Sequence, residues 1–342
     1  MAAAERSVLH VLPHPGGGGE TYVDLLAEMA GYRFARLYLA PSAGTRVHVV
    51  ARGLAAVARA APRHDLVHVH GEVAAGLCLP LLATRPSVVT LHGLHLVRRT
   101  TGAVGTAARL SLRAVLRAAG RTVCVSASEH DELIRAVGAA AARRAVVVRN
   151  GVRVGSPTTS DERWSVRESL GVSPSDTVAI WVGSLDARKD PLAAVRAAKQ
   201  ASVTLLVVGD GPLRAEVEQA GSDHVKALGS RSDVGRLLGA ADVFVLTSHR
   251  EGLSFSLLEA MAHGLAPVVT NLPENREAVG DAGIATEPTD DSFASALRRL
   301  AADPDERAQL GARAVRRVSE LFSATEMQRA TRSLYDDVLD PL

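Results

Sequence analysis

Short β-branched or leucine-rich segments alternate with longer helical patterns along the chain, and this alternation constrains the fold most strongly. In the first half, a glycine-rich loop at 16–19 and a helix at 20–30 follow the first strand candidate. The strand candidates of this half are 7–12, 65–70, 87–92, 121–126 and 145–149. Strands that alternate with helices at this spacing predict a parallel sheet with right-handed crossovers.

The pattern then restarts. Asn150-Gly151 closes the first series, and Arg153 to Ser160 has the polar composition of a linker. The later strand candidates are 177–182, 203–208, 225–228, 243–246 and 266–269, with helices near 191–200, 212–219, 232–238 and 256–263. We therefore predict two Rossmann-like domains, 1–152 and 153–324, with a C-terminal helix at about 325–342 that packs back on the first.

Composition excludes several classes of protein. With 47% hydrophobic and 22% charged residues, the chain has the content of a globular protein rather than a disordered one. Cys78 and Cys124 are too far apart for a zinc motif and too few for a disulfide scaffold, which favours a reducing cytoplasm. The first 13 residues lack a secretion signal, and the longest apolar stretch, 73–83, is too short to span a bilayer.

Charge is distributed unevenly. Residues 1–150 contain 18 arginines and 9 acidic residues and have a net positive charge. Residues 151–342 have a net negative charge. Arg109, Arg113, Arg117 and Arg121 recur every four residues and predict a basic ridge on one helix. Such a ridge is usually the solvent-exposed face of a helix. The alternative is that it contacts an anionic acceptor or a membrane surface. Aromatic residues make up only 3% of the chain, which argues against nucleic-acid binding.

The densest motif runs from Thr247 to Val269, where a strand leads into a helix. Glu251 and Glu259 are eight positions apart, so on one helix they would lie about 12 Å apart along its axis and would not share one ligand atom. If Glu251 lies in the loop and Glu259 in the helix, both can contact one elongated ligand. Small residues between them, Gly252, Ser254 and Ser256, leave the backbone N–H groups of a helix start open to an anion.

This block resembles the E-x7-E signature of retaining glycosyltransferases of the GT-B fold, specifically family 4 (glycosyltransferase group 1). Further segments are similar to motifs of that family, in the same order along nearly the whole chain. They are Gly17-Gly18-Gly19-Glu20, Thr90-Leu-His-Gly93, Asn150-Gly-Val152, Val182 to Asp190 and Val208-Gly-Asp-Gly-Pro212. The resemblance implies two Rossmann-like parallel-sheet domains that face each other across a cleft.

The resemblance also implies residue roles. Glu259 would bind the ribose hydroxyls, Glu251 a hydroxyl of the donor sugar, and Lys189 the diphosphate, while His92 would lie near the reacting carbon. The remaining residues implied in donor binding are Gly17, Gly18, Ser184, Arg188, Gly229, Arg231, Gly252, Leu253, Ser254, Phe255, Ser256 and Leu257. Ser184 stands where the family usually has an arginine, and Arg188 is the candidate replacement.

Two further histidines, His68 and His70, lie on the strand candidate 65–70. We predict that their rings point to opposite faces of that strand and that at least one is a hydrogen-bonded structural residue.

The sequence thus predicts a metal-independent, retaining transferase that moves a sugar from a nucleotide diphosphate to a hydroxyl by same-face displacement. The Asp-x-Asp triplet at Asp303-Pro304-Asp305 lies outside the segments that resemble the family, so we expect no metal or other cofactor. We favour a UDP-sugar as donor and a small molecule as acceptor, with a glycan acceptor also open. The alternatives are a nucleotide-sugar epimerase, a glycan phosphorylase or a non-catalytic nucleotide-sugar-binding subunit, and the oligomeric state is not predicted.

Overall fold

A computed structural model describes residues 5–41, 46–221 and 224–340. The chain divides into two compact units, Met1–Asn150 with Ala324–Leu342 and Gly151–Ser323. Residues 1–4 and 42–45 of the predicted first domain, 222 and 223 of the predicted second domain, and 341 and 342 of the predicted terminal helix lie outside the described residues. Among the described residues, no helix is long and apolar enough to cross a membrane.

The first unit is built on a six-stranded parallel sheet in the order β2-β1-β3-β4-β5-β6. Its inner strands β3 and β4 are buried throughout, as expected for parallel strands covered on both faces. The strands are β1 (Arg6–Leu12), β2 (Tyr32–Tyr38), β3 (Leu66–His70), β4 (Ser87–Thr90), β5 (Arg121–Cys124) and β6 (Ala145–Val147).

Helices connect these strands, and the last helix of the chain joins this unit. They are α1 (Gly18–Leu26), α2 (Val47–Ala60), α3 (Glu72–Leu77), α4 (Leu79–Leu82), α5 (His95–Arg99), α6 (Gly102–Ala118), α7 (Ala127–Val137), α8 (Ala139–Ala142) and the terminal helix (Ala324–Leu339), numbered α17 in chain order. In α17, Met327, Leu334 and Tyr335 are buried, which gives the helix its packed face.

The second unit repeats the architecture, with six parallel strands in the order β12-β11-β10-β7-β8-β9. The strands are β7 (Val178–Val182), β8 (Thr204–Val208), β9 (Val225–Gly229), β10 (Val243–Leu246), β11 (Ala266–Thr270) and β12 (Ile284–Thr286). The helices are α9 (Ser160–Ser169), α10 (Pro191–Ala201), α11 (Arg214–Gln219), α12 (Val234–Ala240), α13 (Phe255–Ala262), α14 (Pro273–Val279), α15 (Asp290–Ala302) and α16 (Pro304–Leu321). The predicted pair of Rossmann-like units is therefore confirmed.

Each sheet contains one point at which the strand order reverses. The reversal lies between β1 and β3 in the first unit and between β7 and β10 in the second. In open parallel sheets, ligands bind outside the carboxyl ends of the strands at such a point. The loops that follow β1, β3, β7 and β10 are therefore the places to examine for function.

Two glycines after β8 allow the loops of the second unit to pack closely. A Cβ atom on Gly209 would lie 1.8 Å from the carbonyl oxygen of Gly183, and one on Gly211 would lie 2.7 Å from that of Leu185. Leu185 in turn donates its N–H to the Asp210 carbonyl at 2.9 Å. The turn after β8 thus fixes the loop after β7, which contains Ser184.

Two sequence predictions about this fold were wrong. The rings of His68 and His70 do not point to opposite faces of β3, because residues two apart on a strand share a face, and the rings stack at a centroid distance of 4.3 Å. Arg121 does not continue the basic ridge, since α6 ends at Ala118 and Arg121 begins β5.

Candidate functional site

Lys189 and Glu251 meet at the strand reversal of the second unit. Lys189 lies in the loop after β7 and Glu251 in the loop after β10, and these strands are neighbours in the sheet. Nζ of Lys189 is 2.5 Å from Oε1 of Glu251, and the two side chains are only 13% and 5% exposed. Their opposite charges compensate each other where water is largely excluded.

Asp186 shapes the loop that contains Lys189. Oδ1 of Asp186 accepts hydrogen bonds from the backbone N–H groups of Arg188 at 2.9 Å and Lys189 at 3.0 Å. An aspartate that binds the backbone two and three residues later stabilises a turn. The carboxylate therefore fixes the backbone from which the lysine extends.

Thr247, the first residue after β10, holds the other end of the same loop. Its hydroxyl donates to the Asp190 carbonyl at 2.7 Å and accepts the indole N–H of Trp181 at 3.1 Å. Asp190 itself has a left-handed backbone (φ 46°), and its carboxylate caps α10 by accepting the N–H of Ala193 at 3.2 Å. Lys189 thus lies in a short segment fixed at both ends.

Ser184 and Arg188, the two positions considered for a second cation, both lie at the surface. Arg188 is 40% exposed, and its guanidinium lies 3.5 Å from the Asp186 carboxylate. Ser184 is exposed, and its backbone carbonyl accepts the N–H of Asp186 at 2.9 Å. Whether Arg188 replaces the family's arginine stays a prediction.

The start of α13 combines a polar cap with apolar anchoring. Ser254 is the N-cap, and its hydroxyl accepts the N–H of Leu257 at 3.4 Å and lies 3.1 Å from that of Ser256. The side chains of Leu253, Phe255 and Leu257 are buried. Because the Leu257 N–H is bound to Ser254, the donors that this helix start can offer a ligand, beside Gly252, are the N–H groups of Phe255 and Ser256.

Glu259 lies inside α13, one residue after the buried Leu258. It is partly buried, and this burial raises the pKa of its carboxyl group. Among the described residues its carboxylate has no hydrogen-bond partner in the structure. Glu251 in the loop and Glu259 in the helix have the arrangement under which both can contact one elongated ligand.

Gly229 and Arg231, both implied in donor binding, lie at the end of β9 and in the loop that follows it. Gly229 has a left-handed backbone (φ 66°), and its carbonyl accepts the N–H of Gly209 at 2.9 Å. Arg231 is 40% exposed and donates through two nitrogens to the Asp233 carboxylate, each at 2.8 Å. The guanidinium is thus oriented by a neighbour in its own loop.

In the first unit, the glycine loop leads directly into α1. Gly17 is the N-cap with φ 77°, Gly18 begins the helix, and a Cβ atom on Gly17 would meet no atom within 4 Å. Glu20 accepts the N–H of Gly16 at 2.6 Å and the Tyr38 hydroxyl, and both contacts lower the pKa of its carboxyl group. The backbone of Gly16 and Gly17 is therefore open to a ligand.

His92 follows β4 with a left-handed backbone, φ 59°, and its side chain is partly buried. The loop is held by Glu129, whose buried carboxylate accepts the N–H groups of Gly93 and, at 2.6 Å, of Val125. Burial raises the pKa of Glu129 to about 8 and lowers the pKa of His92 to about 3. His92 is therefore a neutral imidazole at physiological pH, with one N–H donor and one acceptor nitrogen.

Sequence reasoning missed several residues that support these side chains. Asp186 and Asp190 carry a local signal, since aspartate before a turn and aspartate directly before proline both favour capping. Thr247 and Glu129 carry none, because the loop residues that they hold, Asp190 and Gly93, lie 57 and 36 positions away.

Family profiles match both units of the chain. The family described as Glycosyltransferase Family 4 matches residues 9–155, and the one described as Glycosyl transferases group 1 matches residues 176–303. The D-inositol 3-phosphate glycosyltransferase of Kineococcus radiotolerans is 31% identical over 324 residues, which cover 82% of this chain and 74% of that protein.

Solved structures agree in fold. Anabaena Alr3699/HepE in complex with UDP-glucose superimposes with a TM-score of 0.82 at 21% identity, covering 97% of this chain and 99% of that one. Sucrose-phosphate synthase from Thermosynechococcus elongatus gives a TM-score of 0.80 at 20% identity, with 98% and 99% covered. Together with the two parallel sheets and the family profiles, these similarities establish that the chain belongs to family 4 of the glycosyltransferases and has their two-domain GT-B fold.

Proposed function

We propose that this glycosyltransferase takes its sugar from a nucleoside diphosphate sugar, with a UDP-sugar as first choice, and transfers it to a hydroxyl group with retention of configuration. The observation that carries the proposal is the buried Lys189–Glu251 pair beside α13, which contains Glu259. The structures of Anabaena HepE with UDP and with UDP-glucose support a uridine nucleotide.

Lys189 supplies the charge that the leaving group needs. When the bond from the sugar to the diphosphate breaks, negative charge develops on the β-phosphate, and a fixed cation stabilises that charge. An ammonium group has three N–H donors, and the bond to Glu251 uses one of them. Glu251 thus orients the lysine, and the N–H groups at the start of α13 add further donors.

The carboxylates supply the contacts to hydroxyl groups. Glu259, which has no hydrogen-bond partner among the described residues, accepts two ribose hydroxyls, and Glu251 accepts one from the donor sugar. Hydrogen bonds to a charged acceptor contribute about 1.5–3 kcal/mol each. Ribose binding also explains why a carboxylate remains at a position where burial disfavours its charge.

The transfer proceeds by same-face displacement. The bond between the anomeric carbon and the phosphate oxygen breaks, and the bond to the acceptor oxygen forms on the same face of the sugar. The proton of the acceptor hydroxyl passes to the leaving phosphate oxygen, so that no protein base is required. Lys189 and the helix N–H groups carry the charge without a metal ion.

A small molecule is the favoured acceptor. The D-inositol 3-phosphate glycosyltransferase relative acts, by its name, on such a molecule, which supports this choice.

Turnover with a panel of donors tests the proposal. The purified chain is incubated with UDP-, GDP-, ADP- and dTDP-glucose and an inositol phosphate acceptor, in buffer with and without EDTA. We expect release of the nucleoside diphosphate, fastest from the UDP-sugar and unaffected by EDTA, and an α-linked product from an α-linked donor by NMR. A β-linked product would contradict retention, and loss of activity that Mn²⁺ or Mg²⁺ restores would contradict metal independence.

A further inference from the structure

A chain of three histidines runs from the core of the first sheet to His92. Nδ1 of His10, on β1, lies 2.8 Å from Nε2 of His70, at the end of β3. Nδ1 of His70 lies 2.9 Å from Nε2 of His92, in the loop after β4. His10 and His70 are at most 1% exposed, whereas His92 is partly exposed. This histidine relay, His10–His70–His92, therefore links a fully buried ring to one that reaches the surface of the unit.

All three rings are neutral. Burial lowers the pKa of His10 and His92 to about 3, and it lowers the pKa of His70 well below its usual value. A neutral imidazole carries one N–H and one lone pair. Each contact in the relay needs one donor and one acceptor, so that only two proton arrangements satisfy both contacts. Either every Nδ1 carries the proton or every Nε2 does.

The buried end of the relay decides between them. Nε2 of His10 is buried and has no hydrogen-bond partner among the described residues. If this nitrogen carried the proton, a buried N–H donor would be left without an acceptor. If it carries the lone pair, an acceptor is left without a donor, and this is the more readily tolerated of the two. The arrangement with protons on Nδ1 is therefore favoured.

A second histidine group, which shares His10 and His70 with the relay, is not arranged as a metal centre. Ligand nitrogens of His10, His68 and His70 lie within 4.8 Å of one another. However, the rings of His68 and His70 stack with an interplanar angle of 25°, so their in-plane lone pairs run side by side rather than towards one point. Both nitrogens of His68 are already bound, to Tyr335 and to Thr90, at 2.7 Å each.

We propose that His10 and His70 are positioning residues that fix His92 in the tautomer with the proton on Nδ1. His92 then presents an N–H donor to a substrate oxygen, and its Nε2 is occupied by His70. The ring can hold a hydroxyl or phosphate oxygen through its Nδ1–H group but cannot accept a proton at Nδ1. The substrate part of this inference rests on the proposed function, whereas the tautomer is a property of the free protein.

Nitrogen NMR of the full chain, labelled with ¹⁵N at histidine, tests the tautomer directly. We expect His10, His70 and His92 each to show a protonated Nδ1 and an unprotonated Nε2, in the absence of any substrate. A protonated Nε2 on His92 would overturn the proposal whether or not the chain transfers sugar. Conversely, the predicted tautomers in a chain that does not use nucleotide sugars would leave the proposal standing and remove the proposed function.

Three variants test the positioning role. His70→Asn keeps an N–H donor near the place of Nδ1, so we expect His92 to keep its tautomer and turnover to stay close to that of the parent. His70→Leu removes the donor, so we expect His92 to shift towards the Nε2-protonated form that a free histidine side chain prefers, with about a tenfold loss in turnover. His68→Leu is the matched control, because this ring packs on His70 but lies outside the relay.

We expect His68→Leu to reduce stability without changing the tautomer of His92. An equal tautomer shift in His68→Leu and His70→Leu would assign the effect to general damage of the core and overturn the positioning role. An unchanged His92 tautomer in folded His70→Leu would overturn it as well. If His70→Leu fails to fold, the parent protein's tautomers and the His70→Asn variant still decide the question.

Discussion

The ammonium of Lys189 lies 2.5 Å from the carboxylate of Glu251, across two loops that follow adjacent strands. Both side chains are largely buried, where water cannot solvate a charge. The positive charge of Lys189 and the negative charge of Glu251 therefore stabilise each other. The same two side chains therefore contribute to the stability of the second unit and to the donor binding proposed for it.

Breaking this ion pair from one side should cost more stability than removing both charges. Lys189→Met removes the ammonium that lies against the buried Glu251 carboxylate, and we expect it to lose about 3–5 kcal/mol of unfolding free energy. The double variant Lys189→Met with Glu251→Gln should recover most of that loss. Urea denaturation followed by circular dichroism measures both. Equal losses in the single and double variants would contradict the claim that the Glu251 charge left behind causes the loss in Lys189→Met.

The same lysine should matter most for turnover. In Lys189→Met we expect kcat to fall by about a hundredfold, or about 3 kcal/mol in the barrier, with a smaller change in UDP affinity, because charge on the leaving group is greatest in the transition state. Steady-state kinetics and calorimetry together separate the two effects. A variant with weaker UDP binding and an unchanged kcat would place Lys189 in ground-state binding alone.

Arg188 and Ser184 test where a second cation acts. The exposed Arg188 side chain lies beside Asp186, and we expect Arg188→Ala to reduce turnover by no more than about fivefold. Ser184→Arg should be tolerated or should tighten UDP binding. If Arg188→Ala instead loses as much activity as Lys189→Met, Arg188 supplies the second charge. If Lys189→Met, Arg188→Ala and Ser184→Arg all behave like the parent, the phosphate site lies elsewhere.

The close approach of Gly209 to the loop after β7 should make this position intolerant of a side chain. A Cβ atom would lie 1.8 Å from the Gly183 carbonyl oxygen, so we expect Gly209→Ala to cost about 1–3 kcal/mol and to weaken donor binding. Gly155→Ala is the matched control, since a Cβ atom there meets nothing within 4 Å. Thermal unfolding of both variants checks this. Equal melting temperatures would contradict the packing argument.

Glu259→Gln should stabilise the free protein at neutral pH. Burial raises the pKa of this carboxyl group, so the folded state binds its proton more tightly than the unfolded state does. Its contribution to stability is therefore present below the usual carboxyl pKa and is lost as pH rises through the raised value. Glutamine removes this loss. In denaturation experiments, Glu259→Gln should have a higher unfolding free energy than the parent at pH 7 but not at pH 4. A larger difference at pH 4 than at pH 7 would contradict the raised pKa of Glu259.

The sequence predicted the strand series well but could not predict the strand order. β2 was missed because arginines interrupt its apolar residues at Arg33 and Arg36, and β12 because it has only three residues. The strands β7 and β10 were each recognised from their apolar runs. Nothing local in either run indicates that they are neighbours, which is the relationship that brings Lys189 to Glu251.

The histidine relay was beyond sequence reasoning for a similar reason. His10, His70 and His92 belong to three different strand segments, and their contact depends on the order of β1, β3 and β4. The resemblance to family 4 pointed to His92 but not to the residues behind it. Its supporting contacts became visible only in the packed sheet.

Calorimetric titration of UDP into the parent protein and into Glu259→Gln tests the proposed donor site most directly. We expect UDP to bind the parent with 1:1 stoichiometry and the folded variant about 10–150-fold more weakly, because charge-assisted ribose contacts are lost. Equal affinities for UDP in the parent and in folded Glu259→Gln would contradict it.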